Sequence, residues 1–398
     1  MIEQVTNEAI SLLRRLIATP SLSSQEGDAA DLMASFLTSQ GHSPYRISHN
    51  VWAIAEPWKP DIPAILLNSH LDTVPPNPGY TRNAYEPMQE EGRLYGLGST
   101  DAGASLVSLA ATFLVMADWK ERPFNLVFAA TAEEETSGKN GITALLSASE
   151  FREKTHGAFA IRDEHAESEQ AGQAQMNTPS VHPLTCAIVG EPTQMQLAVA
   201  ERGLMVIDAV AHGVSGHAAR KEGKNAIMTA MDDIAWLQAN HMPKVSEFLG
   251  PVTWTPTTIH TPNTRHNVVP DRCEFTIDIR IHEGYTHEEV LATLWQHLKS
   301  ELTPRSFNLR SSLIAPYHPL VKTGLELGRQ PYGSPTSSDK GRLAFPALKM
   351  GPGDSARSHT ADEYIELDEI RDGIQLYIDL LKRVHFEPFD PAKPNTDS

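Results

Sequence analysis

The chain has 398 residues, 21% of them charged and 40% hydrophobic, which excludes a disordered polypeptide and suits one large folded unit plus a smaller one. The formal net charge of −17 argues against nucleic acid or an anionic membrane as partner, but not against metal ions, which clustered carboxylates attract. Residues 1–4 lack the basic-then-apolar start of a secretory leader, and no apolar run approaches the roughly 20 residues that span a bilayer. Only Cys186 and Cys273 are present, both in strand-like apolar contexts, so they read as buried free thiols. A cytoplasmic location is the expectation that follows.

The spacing of Ile10, Leu13, Leu16 and Ile17 predicts a first helix that Pro20 ends. A second helix pattern covers about 28–37, with Gly41 near its end. Apolar runs at 64–67, 124–130 and 186–189 predict buried strands, with a small-residue helix at about 103–116 between the first two. Strands alternating with helices predict an α/β fold built on a mostly parallel sheet. The stretch 162–183 is polar, without apolar period, and reads as a mobile surface insertion. The texture changes from about 195. Strands at 206–210, 252–259, 273–281 and 307–313, with helices at 225–237 and 287–298, predict a ferredoxin-like αβ sandwich inserted at 195–312. Residues 1–194 and 313–398 then form the main domain. The run 346–350 resumes its core style. A closing helix carries Ile370, Ile374, Tyr377, Leu381 and Val384 on one face, with Asp368 as its N-cap.

Five places share one feature, an apolar strand or a turn running into a histidine or carboxylate. In Ile65-Leu66-Leu67-Asn68-Ser69-His70-Leu71-Asp72, His70 stands at a strand's carboxyl end, where ligands gather in parallel sheets. Asp72 points to the same side of an extended segment and can orient an imidazole. Asp101 follows the glycines of Gly96-Leu97-Gly98 and precedes a helix, a position that also suits an ordinary N-cap. Glu133-Glu134-Glu135 end a core strand, where three adjacent carboxylates repel one another unless a dication or a raised pKa relieves them. Glu191 follows Ala187-Ile188-Val189-Gly190, and His359 follows the turn Gly351-Pro352-Gly353. The segment from Thr360 to Glu363 also fits a helix capping box. Two histidines and three carboxylates, with one carboxylate spare, are the inventory for two adjacent divalent ions sharing a bridging carboxylate. The spare glutamate suits a general base.

These motifs, in this order, resemble the M20 metallopeptidase/deacylase family. The resemblance rests on Asn68-Ser69-His70-Leu71-Asp72-Thr73-Val74-Pro75, Asp101, Glu134-Glu135, Gly190-Glu191-Pro192-Thr193 and His359-Thr360-Ala361-Asp362-Glu363-Tyr364. It implies a zinc-hydrolase catalytic domain with an inserted lid and dimerisation domain. It also implies that His70, Asp101 and Glu191 hold one zinc and that Asp101, Glu135 and His359 hold the other, cobalt being a substitute. By the same resemblance Asp72 orients His70 and Glu134 is the base. Two departures stand out. Glu133 replaces the family's usual Asp, so a slip of one in register would make Glu133 the base, and Gly103 stands where many members carry Lys.

In the inserted domain, Glu201-Arg202-Gly203 resembles the family's substrate loop. Ser215-Gly216-His217-Ala218-Ala219-Arg220 resembles the segment that brings a histidine into the partner subunit's site. His266-Asn267-Val268-Val269-Pro270 resembles the loop that offers Asn267 to substrate, and Asp278-Ile279-Arg280 the strand whose Arg280 takes a carboxylate. For Arg202 and Arg280 the plainer reading is a surface ion pair, and for His217 a local hydrogen bond. A homodimer acting on a small N-acyl amino acid is implied. The motifs look most like acetylornithine deacetylase-type enzymes of arginine biosynthesis, with succinyl-ornithine or acetyl-citrulline as neighbouring substrates. A succinyl-diaminopimelate desuccinylase or a dipeptidase/aminopeptidase of the same family is the rival enzyme. A non-catalytic binding protein on this scaffold would be signalled by a lost ligand or base, and none is lost.

Overall fold

The computed structural model describes residues 2–60, 62–159, 185–220 and 222–386, so the polar stretch 162–183 lies outside the described residues. A nine-stranded sheet organises most of the chain. At its centre Asn125–Thr131, Ala64–His70, Cys186–Val189 and Ala347–Lys349 lie side by side and parallel. All four are buried along their whole length, which is why they read as continuous apolar runs rather than alternating ones. The flanks bring in antiparallel pairing, although Pro331–Ser334 runs parallel to Leu197–Glu201. Asn50–Ile54 and Tyr45–Ile47 extend one side, and Leu197–Glu201 with Ser312–Leu313 the other.

Alternate side chains of one strand feed two cores. Ile65 and Leu67 pack with helices Ile2–Ile17, Gly27–Ser39, Ser105–Ala117 and Leu367–Arg383, whereas Ala64 and Leu66 pack with Leu145, Phe151 and Phe159 on the opposite face. The Ser99–Ala117 stretch corrects one expectation: it is long and apolar enough to cross a membrane, but 78% of it is buried inside the fold, as suits a core helix.

A second, antiparallel sheet runs in the order Thr253–His260, Arg272–Ile281, Gly203–His212, Glu301–Pro304. In chain order this is 2-3-1-4, the ferredoxin-like arrangement. Its two long inner strands alternate buried and half-buried residues, because only one face is covered. Helices Ala226–Ala239 and His287–His297 supply that cover through Ala230, Leu237, Val290 and Leu294. Asn225 caps the first helix by accepting from the Ile227 N–H, and Thr286 with Glu289 forms a capping box on the second.

Three boundaries differ from the sequence reading. The fourth strand is Glu301–Pro304 rather than 307–313: Leu302 alone in it is buried, too weak a period to see, while Phe307, Leu309 and Leu313 mimic a strand. Of the latter stretch only Ser312–Leu313 is a strand, and it joins the large sheet. Leu197–Glu201 also belongs to the large sheet, so the first strand of the antiparallel sheet is Gly203–His212, longer than the expected 206–210. The closing helix starts at Leu367 under a Glu366–Glu369 capping box, which leaves Asp368 inside its first turn.

Candidate active site

Three strand ends arrive at one level. His70 is the last residue of its strand and pairs with Thr131, the last of the next, while Asn68 pairs with Val189 two residues before Glu191. Asp101 enters from the loop ahead of helix Ser105–Ala117, and His359 from the turn after Ala347–Lys349. Close packing brings these loops in. A Cβ on Gly103 would stand 2.4 Å from the Gly98 carbonyl oxygen and 2.7 Å from Leu13, so the packing here has no room for the lysine of resembling proteins. A Cβ on Gly351 would stand 2.5 Å from the Glu191 carbonyl oxygen.

Asp101 lies between the two histidines. Its Oδ1 is 3.3 Å from His70 Nε2 and its Oδ2 is 3.5 Å from His359 Nε2. Glu191 lies 3.8 Å from His70 Nε2, and Glu135 lies 3.2 Å from His359 Nε2. Donor atoms of His70, Glu134 and Glu191, and likewise of His70, Asp101 and Glu135, lie within 4.8 Å of one another. His70 turns its other nitrogen away, with Nδ1 2.9 Å from the Asp72 carbonyl oxygen and 3.4 Å from its carboxylate. That carboxylate accepts from Ser23 Oγ and from the Glu134 and Glu135 N–H groups, at 2.7, 3.0 and 3.1 Å. Asp72 therefore locks the imidazole to the turn that carries the glutamates.

The electrostatics record a crowd of acids. Burial and the charges of Glu191, Asp339 and Glu135 push Glu134 well above the usual carboxylate range, against the pull of His70. Burial, together with Asp101, raises Glu191 to about 8 and raises Glu135 as well. Burial alone would lower His70, but hydrogen bonds to Asp101 and Asp72 and the charges of Glu191 and Glu134 lift it well above normal. Carboxylate oxygens and imidazoles converging in this way suit divalent cations, whose charge relieves the repulsion. The donor set thus fits two such ions.

Glu133 sits apart. At φ 54° its side chain turns toward Ser24 Oγ and the backbone and side chain of Asn140, at 2.9, 3.0 and 2.8 Å. It is a structural anchor for the turn, and Glu134 is the glutamate that faces His70 and Glu191. Sequence reasoning missed Glu363. The capping-box reading of Thr360–Glu363 fails because a strand, Tyr364–Glu366, follows rather than a helix. The buried Glu363 carboxylate instead accepts from the Gly98, Thr100 and Asp101 N–H groups. Asp339, buried and raised to about 6 by that burial, accepts from Thr131 Oγ1 at 2.8 Å. Lys349 pairs with Glu201 at 3.1 Å below the cluster. A lysine in the otherwise apolar strand Ala347–Lys349 was the one readable signal among these.

The residues expected to meet substrate stand elsewhere. His217 and Asn267 are brought together, since His217 pairs with Val268 across two short strands and the Ala218 N–H donates to the Asn267 carbonyl. His217 is exposed, and its Nδ1 accepts from the Ala219 N–H at 3.2 Å. Arg280 pairs with Asp278 of its own strand at 2.8 Å. Arg202 donates to the Pro251 carbonyl at 2.9 Å and to the Leu249 carbonyl. Burial, then the nearby Arg280 charge, lowers its pKa, so the two guanidinium groups are neighbours. Among the described residues no hydrogen bond or ion pair joins any of the four to the carboxylate cluster.

Fold and cluster together define a candidate centre for divalent cations at the carboxyl ends of the parallel strands. Residues 199–305 match the family model for the peptidase dimerisation domain. The chain is 26% identical over 308 residues to succinyl-diaminopimelate desuccinylase 2 of Ruegeria sp. (strain TM1040), covering 74% of this chain and 70% of that protein. Its fold is similar to aminopeptidase PepT from Bacillus cereus ATCC 10987, with TM-score 0.68 and 17% identity over 96% of this chain and 99% of that one. It is also similar to the M20 family metallo-carboxypeptidase Sso-CP2 from Sulfolobus solfataricus, with TM-score 0.66 and 15% identity over 94% and 98% of the two chains. The chain is thus similar to M20 metallopeptidases and deacylases in its dimerisation-domain match and in its fold.

Proposed function

We propose that this chain hydrolyses the amide bond of a small N-acyl amino acid. His70, Asp101 and Glu191 would hold one divalent ion and Asp101, Glu135 and His359 the other, with zinc or cobalt suiting the donors. The observation that carries this reading is Asp101, which turns one carboxylate oxygen toward each histidine. Ions bound there would supply a Lewis acid for water and for the scissile carbonyl. Glu134 takes a proton from the attacking water at its carboxylate and passes it to the leaving amine nitrogen, leaving a free amino acid and a carboxylic acid. Asp72 fixes the ring of His70 throughout.

In this reading the unit at about 195–312 is a lid and dimerisation domain. Arg280 with Arg202 takes the α-carboxylate and Asn267 meets the substrate, while His217 of one subunit serves the site of its partner as donor to the oxyanion. The name of the curated relative favours a succinylated amino acid such as N-succinyl-diaminopimelate over N-acetylornithine, and two neighbouring guanidinium groups suit a substrate with more than one carboxylate. The test is a panel of N-succinyl-diaminopimelate, N-succinylornithine, N-acetylornithine, N-acetylcitrulline and a tripeptide, assayed with zinc- and cobalt-loaded protein. The highest kcat/KM is expected on the succinyl-diaminopimelate. A preference for the peptide with a free amine would make the chain a peptidase instead. Chelation should abolish all turnover and zinc or cobalt restore it; amidase activity unchanged in fully demetallated protein would overturn the mechanism.

A further inference from the structure

The segment that carries His359 also grips the loop that carries Asp101. Glu363 Oε1 accepts from the Thr100 and Asp101 N–H groups at 2.7 and 2.9 Å, and Oε2 accepts from the Gly98 N–H at 3.1 Å. The Glu363 carbonyl accepts from the Gly96 N–H, and the Tyr364 carbonyl from Thr100 Oγ1 at 2.6 Å. Glu363 is 2% exposed, so water does not substitute for these bonds. Of the three N–H groups on its carboxylate, one belongs to Asp101 itself. Fixing that peptide fixes the direction in which the Asp101 side chain leaves the backbone. Asp101 needs this control, because its two oxygens face different histidines and a small rotation would give up one of them.

We propose that Glu363 is a positioning residue for the metal centre, holding Asp101 in the orientation that serves both ions at once. The inference rests on the two-ion reading above. One segment, 359–363, thereby supplies a ligand directly and sets a second through its backbone. The carboxylate is essential to the device because all three partners are donors. A glutamine would turn its NH2 toward at least one N–H, placing donor against donor in a buried site.

The experiment titrates cobalt(II) into metal-free full-length protein by calorimetry and follows the visible cobalt spectrum. Wild type, Glu363→Gln, Glu363→Asp and Thr100→Val are compared, with circular dichroism to establish folding. Wild type is expected to take two equivalents. Glu363→Gln should bind cobalt about 10–100-fold more weakly, the usual cost of losing a partner that orients a ligand, with an altered spectrum. Glu363→Asp, whose shorter side chain cannot span all three donors, should lie between them and decides the matter if the glutamine variant does not fold. Thr100→Val removes the neighbouring bond to Tyr364 and should lose stability but keep its cobalt affinity. Folded Glu363 variants with the wild-type isotherm and spectrum would overturn the inference, as would an equal cobalt loss in Thr100→Val. Wild type binding no cobalt would instead overturn the two-ion reading itself.

Discussion

The carboxylate cluster and the arm that carries Arg202, His217, Asn267 and Arg280 are both rich in the residues expected of a hydrolase, yet they differ in one respect. In the cluster, groups far apart in sequence already meet: His70, Asp101, Glu135, Glu191 and His359 lie within 3.8 Å of a partner. On the arm, two of the groups have local companions instead, Arg280 with Asp278 and His217 with the Ala219 N–H. Such interactions are weak at an exposed surface, typically below about 1 kcal/mol, so a substrate or a second chain can displace them. The lesson is that a metal centre has to be assembled by one chain's own fold, whereas substrate groups can wait for closure or for a partner.

The largest expected effect separates the cluster's members. Glu134→Gln should keep both metals and substrate affinity but lower kcat about 1,000-fold or more, as loss of a general base does. Glu133→Gln should cost stability and leave kcat within a few-fold, because its carboxylate serves Ser24 and Asn140. The reverse pattern would move the base by one residue. On the arm, His217→Ala should lower kcat about 100-fold or more without metal loss, as deleting an oxyanion donor does. If the donor acts in trans, mixing His217→Ala with Glu134→Gln chains should recover about a quarter of wild-type activity, since half the dimers are mixed and each has one complete site. A mixture as inactive as its parents, after proven subunit exchange, would place His217 within its own chain. Arg280→Ala should raise KM about 10–100-fold, the worth of a charge-assisted hydrogen bond, with metal content unchanged. An unchanged KM would leave Arg280 a surface ion pair.

The smallest effect probes the large-sheet core without touching either region. His318 caps helix Pro319–Glu326 by accepting from the Leu320 N–H, and burial lowers its pKa to about 4. The unfolded chain binds this proton near pH 6.5 and the folded chain does not until about pH 4. The stability that a neutral His318 contributes is therefore intact above that window and lost as pH falls through it. Its share at pH 5 is of the order of 2 kcal/mol. His318→Asn, which retains a cap acceptor, should flatten the decline in urea midpoint between pH 7 and pH 5. An unaltered decline would assign it to other groups.

The sequence exposed His70, Glu133 to Glu135 and Glu191 because they follow apolar runs, where a polar group has few structural uses, while Asp101 and His359 were marked by glycine-bearing turns. The central strands were legible for the same reason, their burial on both faces leaving no polar interruption. Glu363 was hidden because its neighbours spell a helix cap, and only the fold shows that a strand follows. Leu197–Glu201 went unread as a strand because five buried residues show no alternation and carry no mark of which sheet they join. The fourth strand of the small sheet was displaced because a single buried leucine cannot establish a period. Local pattern reports burial well and partnership poorly.

The placement of the two cysteines has a use of its own. Cys186 lies in the core of the large sheet and Cys273 in the core of the antiparallel sheet, and neither is more than 1% exposed. Burial also raises both thiols above their ordinary pKa, so reagents that need a thiolate reach neither in the closed state. Each is a built-in reporter on a separate hydrophobic compartment. Trapping with an alkylating agent, resolved by peptide mass, would time the opening of one compartment against the other with no label introduced.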